Sequence, residues 1–121
     1  LGTETRTPAE QSIWFRLAAP IEADPAMHRA ILAYASDSYL LGTSTLSHGV
    51  TWVTPGFMSA SLDHAVWIHD DVNLNDWHLY RCDSPWAGRG RGFNRGSIYT
   101  QDGTLVATCA QEGLIRRPKS A

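Results

Sequence analysis

The stretch DPAMHRAILAYASDSYLL, residues 24–41, decides the fold, because it predicts one long helix in a chain that otherwise favours strands. Asp24 is a good N-cap, and Pro25 suits the first helical position, where its missing N–H does no harm. Apolar side chains then recur at helical spacing, and they are Met27, Ile31, Tyr34 and Ala35. Since apolar residues cover much of its circumference, we expect a sheet to wrap this helix, which should end near Leu41.

Strand patterns flank this helix on both sides. The predicted strands cover residues 12–18, 58–68, 77–87, 93–101 and 104–114. The Asp102-Gly103 pair before the last of them is a typical hairpin turn. One helix followed by a meander of antiparallel strands predicts an α+β fold, in which a curved sheet wraps around a central helix.

Bulk properties exclude several classes of protein. The 121 residues suit one domain, and the formal charge of −2 gives no electrostatic case for binding nucleic acid or an anionic membrane. No apolar run approaches the roughly 20 residues of a membrane span. Cys82 and Cys109 are too few for a disulfide scaffold, so we expect buried, reduced thiols and a cytoplasmic location.

Three polar residues inside apolar patterns are candidates for a reactive site. Asp37 lies within the helix, Ser61 in the first long strand and Gln111 in the last. Such groups cost free energy when buried unless they are hydrogen-bonded, so several that converge indicate a site. Taken singly, each also fits an ordinary place: an exposed helix face, packing against the helix, and a surface position on an edge strand, respectively.

Histidines and arginines give a weaker signal. Asp63 and His64 are neighbours in a strand and point to opposite faces, so they cannot cooperate directly. The histidines also lack the spacing of metal ligands, and we expect neither a metal nor a cofactor. Three arginines lie in the glycine-rich run at 88–95, namely Arg89, Arg91 and Arg95. This composition suits a phosphate-bearing ligand and equally suits a charged strand edge.

Six strings of the chain are informative as an ordered set. They are LAYASD (32–37), SLDHAVWIH (61–69), DWHLY (76–80), RGFNRG (91–96), YTQDG (99–103) and AQEGLIR (110–116). In this order the chain resembles the C-terminal half of the acyl-CoA thioesterase II family over roughly residues 11–117. The resemblance implies a hotdog fold, as one half of a double hotdog, with a flexible lead at 1–10, the hotdog domain at 11–117 and a tail at 118–121.

The same resemblance implies a thioesterase that hydrolyses fatty acyl-CoA to free fatty acid and CoA. The family's catalytic Asp, its Ser or Thr, and its Gln fall on Asp37, Ser61 and Gln111, which would together activate one water molecule. An N-terminal hotdog half, or a second hotdog chain, is the expected partner in an oligomer. Two alternatives stay open: a non-catalytic hotdog that binds acyl groups or CoA, and an acyl-CoA hydratase, for which His48 is the only histidine shortly after Asp37.

Overall fold

The computed structural model describes residues 10–22, 24–40 and 58–116, apart from the side chains at 38–39, 58–61 and 115–116. Strand β1 (Glu10–Phe15) precedes helix α1 (Pro25–Leu40). Five strands follow, and they are β2 (Met58–Ser61), β3 (Ala65–Ile68), β4 (His78–Gly88), β5 (Arg91–Thr100) and β6 (Leu105–Arg116). The strands form one antiparallel sheet in the order β1-β4-β5-β6-β2, and β3 also pairs with β6. The predicted α+β architecture is confirmed.

Several predictions concern residues outside this description. They are most of the lead at 1–10, the helix end at Leu41, the histidine at position 48 and the tail at 118–121. In the described part of the chain, no helix is long and apolar enough to cross a membrane.

Helix α1 begins as predicted. One carboxylate oxygen of Asp24 accepts hydrogen bonds from the backbone N–H groups of Ala26 (3.0 Å) and Met27 (3.5 Å). This is the N-cap geometry that satisfies the free donors of a first helical turn.

The buried stripe of α1 differs from the predicted one. It recurs every fourth residue, and its members are His28, Leu32, Ser36 and Leu40. Met27 and Tyr34 were expected on the packed face, but they are 50% and 80% exposed. Polar residues can occupy the stripe because they are hydrogen-bonded: the backbone N–H of Leu74, for example, donates to His28 Nδ1 at 3.0 Å.

The single strand predicted at 58–68 is in fact two strands separated by a bulge. Both β2 and β3 pair with β6, but the register advances by one residue between Ser61 and Ala65. The backbone N–H groups of Leu62 and Asp63 both donate to the carbonyl oxygen of Glu112, at 3.0 and 3.3 Å. A carboxylate oxygen of Asp63 accepts the N–H of Glu112 in return, at 2.7 Å. Two residues therefore share one partner, as in a β-bulge.

A second bulge lies in β4, where Ser84 and Pro85 together face Asn94 of β5. The Ser84 hydroxyl donates to the carbonyl oxygen of Phe93 at 2.8 Å. Because proline has no N–H for the ladder, a bulge is one of the few places where a strand tolerates it. Asn94 is paired on its other side with Gln111 of β6. The bulge at Leu62 and Asp63 faces Glu112, the residue after Gln111, so the two bulges lie on opposite sides of the β5–β6 pair in neighbouring rows.

The two hairpin turns have the geometry that their residues favour. Arg89 and Gly90 join β4 to β5 with φ angles of 52° and 73°, as in a type I′ turn. The predicted turn at Asp102-Gly103 is confirmed, with Gly103 at a φ of 91°. Strands β4, β5 and β6 begin and end within two residues of their predicted limits.

The core lies between α1 and the facing side of the sheet, and Tyr80 ties the two together. Its hydroxyl donates to the carbonyl oxygen of Ser36 at 2.6 Å and lies 3.0 Å from Cys109 Sγ. Burial raises the pKa of both the Tyr80 phenol and the Cys109 thiol. Both Cys82 and Cys109 are buried thiols that take no part in a disulfide, as predicted.

Candidate functional site

His64 lies at the centre of a polar cluster between α1 and the sheet. Its Nδ1 atom is 2.9 Å from Gln111 Oε1 and 3.7 Å from Asp37 Oδ1. Its Nε2 atom is 2.8 Å from Ser36 Oγ. An amide oxygen can only accept a hydrogen bond, so His64 donates to Gln111 through Nδ1. The structure thus brings two of the predicted site residues, Asp37 and Gln111, to the same ring nitrogen.

Asp37 lies on an exposed face of α1 and also beside His64, so it fits both of the places that its sequence position allowed, a helix surface and a reactive site. Its side chain is 49% exposed, so it lies on an accessible face of α1. The preceding residue, Ser36, is fully buried and belongs to the stripe that packs on the sheet. Asp37 therefore stands at the rim of the buried stripe, with one side towards solvent and one towards His64.

Gln111 is a buried residue rather than a surface amide. Only 1% of it is exposed, and β6 is not an edge strand, because it pairs with β5 on one side and with β2 and β3 on the other. The surface position on an edge strand that its sequence also allowed is therefore wrong. A buried amide in the middle of a sheet requires polar partners, and His64 is one of them.

The backbone of Ser61 lies in β2 opposite Gly113, two residues along β6 from Gln111. Its side chain lies outside the described part of the structure. An interval of two residues in a strand returns to the same face of a sheet. Its role at the site stays a prediction.

Ser36 connects His64 to the helix backbone. Its hydroxyl lies 2.8 Å both from the Ala33 carbonyl oxygen and from His64 Nε2, and its single hydrogen can serve only one of them at a time. Ser36 thereby links the His64 ring to the preceding turn of α1.

The role of His64 was missed at the sequence level. Asp63 and His64 lie between β2 and β3, and their side chains do point to different partners: Asp63 accepts the N–H of Glu112, while His64 contacts Gln111. A signal was nevertheless present in the sequence, because His64 is in phase with Val66 and Ile68. All three are less exposed than the residues that alternate with them in β3. A polar residue in the apolar phase of a strand indicates a buried, hydrogen-bonded group.

Asn94 is a second buried amide in the same row of the sheet. It is fully buried, and neither its Nδ2 nor its Oδ1 atom has a hydrogen-bond partner among the described residues. Its neighbour across the sheet is Gln111. Arg91 and Arg95, on either side of this position, were predicted from the sequence as ligand-binding residues, whereas the Asn94 amide between them was missed.

The three arginines lie apart from the His64 cluster. Arg91 and Arg95 alternate along β5 with the buried residues at positions 92, 94 and 96, so they lie on the sheet face opposite to Asn94. Arg91 contacts Glu112 at 3.3 Å, and Arg95 makes two hydrogen bonds to Asp83 at 2.8 and 3.0 Å. Arg89 occupies the hairpin turn, where no carboxylate of the described residues lies at ion-pair distance.

Comparison with known proteins identifies the family. The acyl-CoA thioesterase C-terminal domain family matches residues 1–115. The chain belongs to this family. It is 44% identical over 112 residues to human acyl-coenzyme A thioesterase 8, covering 92% of this chain and 34% of that protein. It is 40% identical over 112 residues to acyl-CoA thioesterase 2 of Haemophilus influenzae, covering 93% of this chain and 39% of that protein.

Solved structures agree with this membership. The chain resembles an acyl-CoA thioesterase II from Mycobacterium marinum with a TM-score of 0.84 and 39% identity, over 98% of this chain and 45% of that one. A protein with a hotdog fold from Alicyclobacillus acidocaldarius matches with a TM-score of 0.70 at 18% identity, over 93% of this chain and 40% of that one. The predicted hotdog fold is therefore confirmed. The chain spans little more than a third of the length of the curated relatives it matches.

Proposed function

We propose that this domain carries the reactive half of an acyl-CoA thioesterase, which hydrolyses fatty acyl-CoA to free fatty acid and CoA. The observation that carries the proposal is the approach of Asp37 Oδ1 and Gln111 Oε1 to one nitrogen of His64, in a chain of the thioesterase family. A carboxylate and an amide held side by side can orient one water molecule and accept its proton.

In the proposed reaction, Asp37 is the general base. One hydrogen of the water points to its carboxylate, while an N–H of Gln111 donates to the water oxygen. The water oxygen attacks the thioester carbon as the proton passes to Asp37, and the C–S bond breaks when the tetrahedral adduct collapses. The CoA thiolate then takes up the proton, which regenerates the carboxylate. No residue needs to be acylated in this sequence of steps.

His64 acts as a positioning residue in this proposal. By donating to Gln111 Oε1 at 2.9 Å, it fixes which end of the amide faces away from it. With this orientation an N–H of Gln111 can donate to the water, and a general base on the other side of the water requires this polarity. His64 also stands beside the Asp37 carboxylate, so it holds both members of the pair in one geometry.

Ser61 is proposed as the hydroxyl that completes the water site. Its backbone position, two residues along the pairing from Gln111, supports this role. A hydroxyl can both donate and accept, so it can hold the water without dictating which proton leaves.

The arginines are proposed to bind the phosphate groups of CoA. Arg89 is the best placed of the three, because it stands in an exposed turn without a carboxylate partner among the described residues. Arg91 and Arg95 would have to exchange Glu112 and Asp83 for phosphate, so we expect them to contribute less to CoA affinity.

A second hotdog unit is the proposed partner, supplied by the same polypeptide or by another. The sheet order leaves the outer edge of β2 and β3 without a neighbouring strand among the described residues. Leu62 and Trp67 on this side are both 54% exposed. An unpaired edge with exposed apolar side chains is suited to pairing with another sheet. The two buried thiols, Cys82 and Cys109, support a reducing compartment such as the cytoplasm.

Release of free thiol from acyl-CoA tests the proposal. We expect the purified protein, in its natural length, to hydrolyse at least one member of an acyl-CoA series, and Asp37→Asn to lower kcat by at least about a hundredfold. Asp76→Asn is the matched control, because Asp76 is an exposed carboxylate in the loop before β4. Its kcat should match that of the wild type.

Two other outcomes would replace the proposal. Binding of acyl-CoA without hydrolysis at any chain length would identify a non-catalytic acyl-CoA-binding subunit. Formation of 3-hydroxyacyl-CoA from an enoyl-CoA, without thiol release, would identify a hydratase. Equal losses of activity in Asp37→Asn and Asp76→Asn would refute the role of Asp37 as the base.

A further inference from the structure

Asn94 is the most unusual polar group in the described part of the chain. It is fully buried, yet both polar atoms of its amide lack a partner among the described residues. A buried amide without hydrogen bonds destabilises a folded protein, and such groups are rare in native structures. The amide is therefore a candidate for a group whose partner arrives with a ligand.

The position of Asn94 connects it to the reactive site. It is the direct cross-strand neighbour of Gln111, and side chains paired in this way lie about 5 Å apart at their Cβ atoms. Asn94 and Gln111 are buried to almost the same extent on the face of the sheet that packs against α1. A substrate that reaches the water held by Gln111 therefore comes within reach of Asn94.

The backbone irregularities near Asn94 support a functional role for this position. The bulge at Ser84 and Pro85 in β4 lies directly opposite Asn94. The other bulge, at Leu62 and Asp63, faces Glu112, the residue after Gln111, and directly precedes His64, which contacts Gln111. Bulges occur preferentially beside active sites, where they re-aim side chains. Here one bulge lies opposite Asn94 and the other lies one residue from Gln111 along β6.

We propose that Asn94 is a further catalytic residue, whose Nδ2 atom donates a hydrogen bond to the carbonyl oxygen of the substrate thioester. This inference rests on the proposed hydrolysis. When water adds to the thioester carbon, the electron pair of the C=O bond moves onto that oxygen, and the water's proton goes to Asp37. The negative charge on the oxygen needs a donor, and neither Asp37 nor the water-bound Gln111 supplies one. Asparagine side chains act as such donors in other hydrolases.

Asn94→Leu is the decisive variant, because leucine has nearly the shape of asparagine without its polar atoms. We expect kcat for acyl-CoA hydrolysis to fall about a hundredfold, the effect of removing one donor to an oxyanion. The melting temperature should stay equal or rise, because an unpartnered amide has been removed from the interior. The dissociation constant of an S-alkyl-CoA thioether, which lacks the carbonyl group, should not change.

Two further variants make the result unambiguous. Asn94→Asp keeps the shape but replaces the donor by an oxygen, so its kcat should fall at least as far as that of Asn94→Leu. Ile98→Val is the packing control, since Ile98 is buried on the same face of β5 and has no polar group. It should lower the melting temperature and leave kcat unchanged.

The outcomes separate this inference from the function on which it rests. A wild type that hydrolyses no acyl-CoA refutes both. An active wild type with Asn94→Leu within about twofold of its kcat refutes only the role of Asn94. A loss of kcat accompanied by a lower melting temperature, or by weaker binding of the thioether, would show that Asn94 is structural and would also overturn the inference.

Discussion

Replacing His64 by phenylalanine tests the arrangement on which the proposed reaction depends. The substitution keeps a ring of similar shape and removes two hydrogen bonds, to Gln111 Oε1 at 2.9 Å and to Ser36 Oγ at 2.8 Å. A typical intramolecular hydrogen bond contributes about 1 kcal/mol, so the free energy of unfolding should fall by about 2 kcal/mol. The contact with the half-exposed carboxylate of Asp37 adds little, because solvent screens it. For a domain of this size, this loss corresponds to a melting temperature lower by about 7 °C.

The effect of His64→Phe on catalysis should exceed its effect on substrate binding. Without the Nδ1–H donor the Gln111 amide loses the hydrogen bond that fixes its Oε1 atom, so we expect its N–H groups to point less consistently at the water. Misplacement of a group by about 1 Å can lower a rate by about a hundredfold, so we expect kcat to fall between tenfold and a hundredfold while KM changes little. Steady-state thiol release, at a temperature well below the melting transition of the variant, measures both quantities.

His69→Phe and His64→Asn are the controls for this experiment. His69 follows β3, is exposed, and makes one hydrogen bond to Thr108 Oγ1 at 2.8 Å, so His69→Phe should preserve kcat. The side-chain nitrogen of asparagine can replace the Nδ1–H donor, so His64→Asn should recover part of the lost kcat. If His64→Phe keeps kcat within about twofold of the wild type, His64 does not position Gln111.

Two further predictions concern the packing of α1 on the sheet. In Gly96→Ala the added Cβ would overlap the Tyr80 ring and lie 3.1 Å from Cys109 Sγ, so urea denaturation should show a free energy of unfolding lower by about 2 kcal/mol. Gly88→Ala, whose Cβ meets only the half-exposed Trp86 ring, should cost much less, and equal losses would contradict the overlap. Burial raises the pKa of Cys109, so the folded state keeps the thiol protonated while the unfolded chain loses its proton above about pH 8.5. The free energy of unfolding is therefore at its full value below that pH and decreases above it. The urea midpoint should fall between pH 7.5 and 9.5, and it should fall by less in Cys109→Ala.

Local signals in the sequence were sufficient for the elements of the fold. The N-cap of α1 depends on Asp24 and its next few backbone N–H groups, and the turn at Asp102-Gly103 depends on a glycine with positive φ. Both are set by residues adjacent in the chain, so a sequence pattern contains everything they need. The buried stripe of α1 was less predictable, because His28 and Ser36 become acceptable in the core only through partners on distant parts of the chain.

The family resemblance pointed to Asp37 and Gln111 as site residues. The contacts that His64 makes with both of them were not predicted. The proximity of Asp37 and Gln111 depends on the packing of α1 on the sheet, which no local pattern encodes. His64 was judged by its neighbour Asp63, whereas its contacts are with residues 28 positions before it and 47 positions after it. The rule that adjacent strand residues point to opposite faces concerns neighbours in the chain only. It gives no information about contacts between residues that are 28 or 47 positions apart.

The bulge between β2 and β3 explains why strict alternation misjudges this site. Ser61 pairs opposite Gly113 and Val66 opposite Cys109, and these two β6 residues lie on the buried, helix-facing side together with Gln111. In a regular strand, positions 61 and 66 would take opposite faces, because the interval between them is odd. One inserted residue cancels that difference and brings both register positions to the face of Gln111. The irregularity that breaks the predicted strand therefore lies directly beside His64, the imidazole that contacts both the helix carboxylate and the central amide.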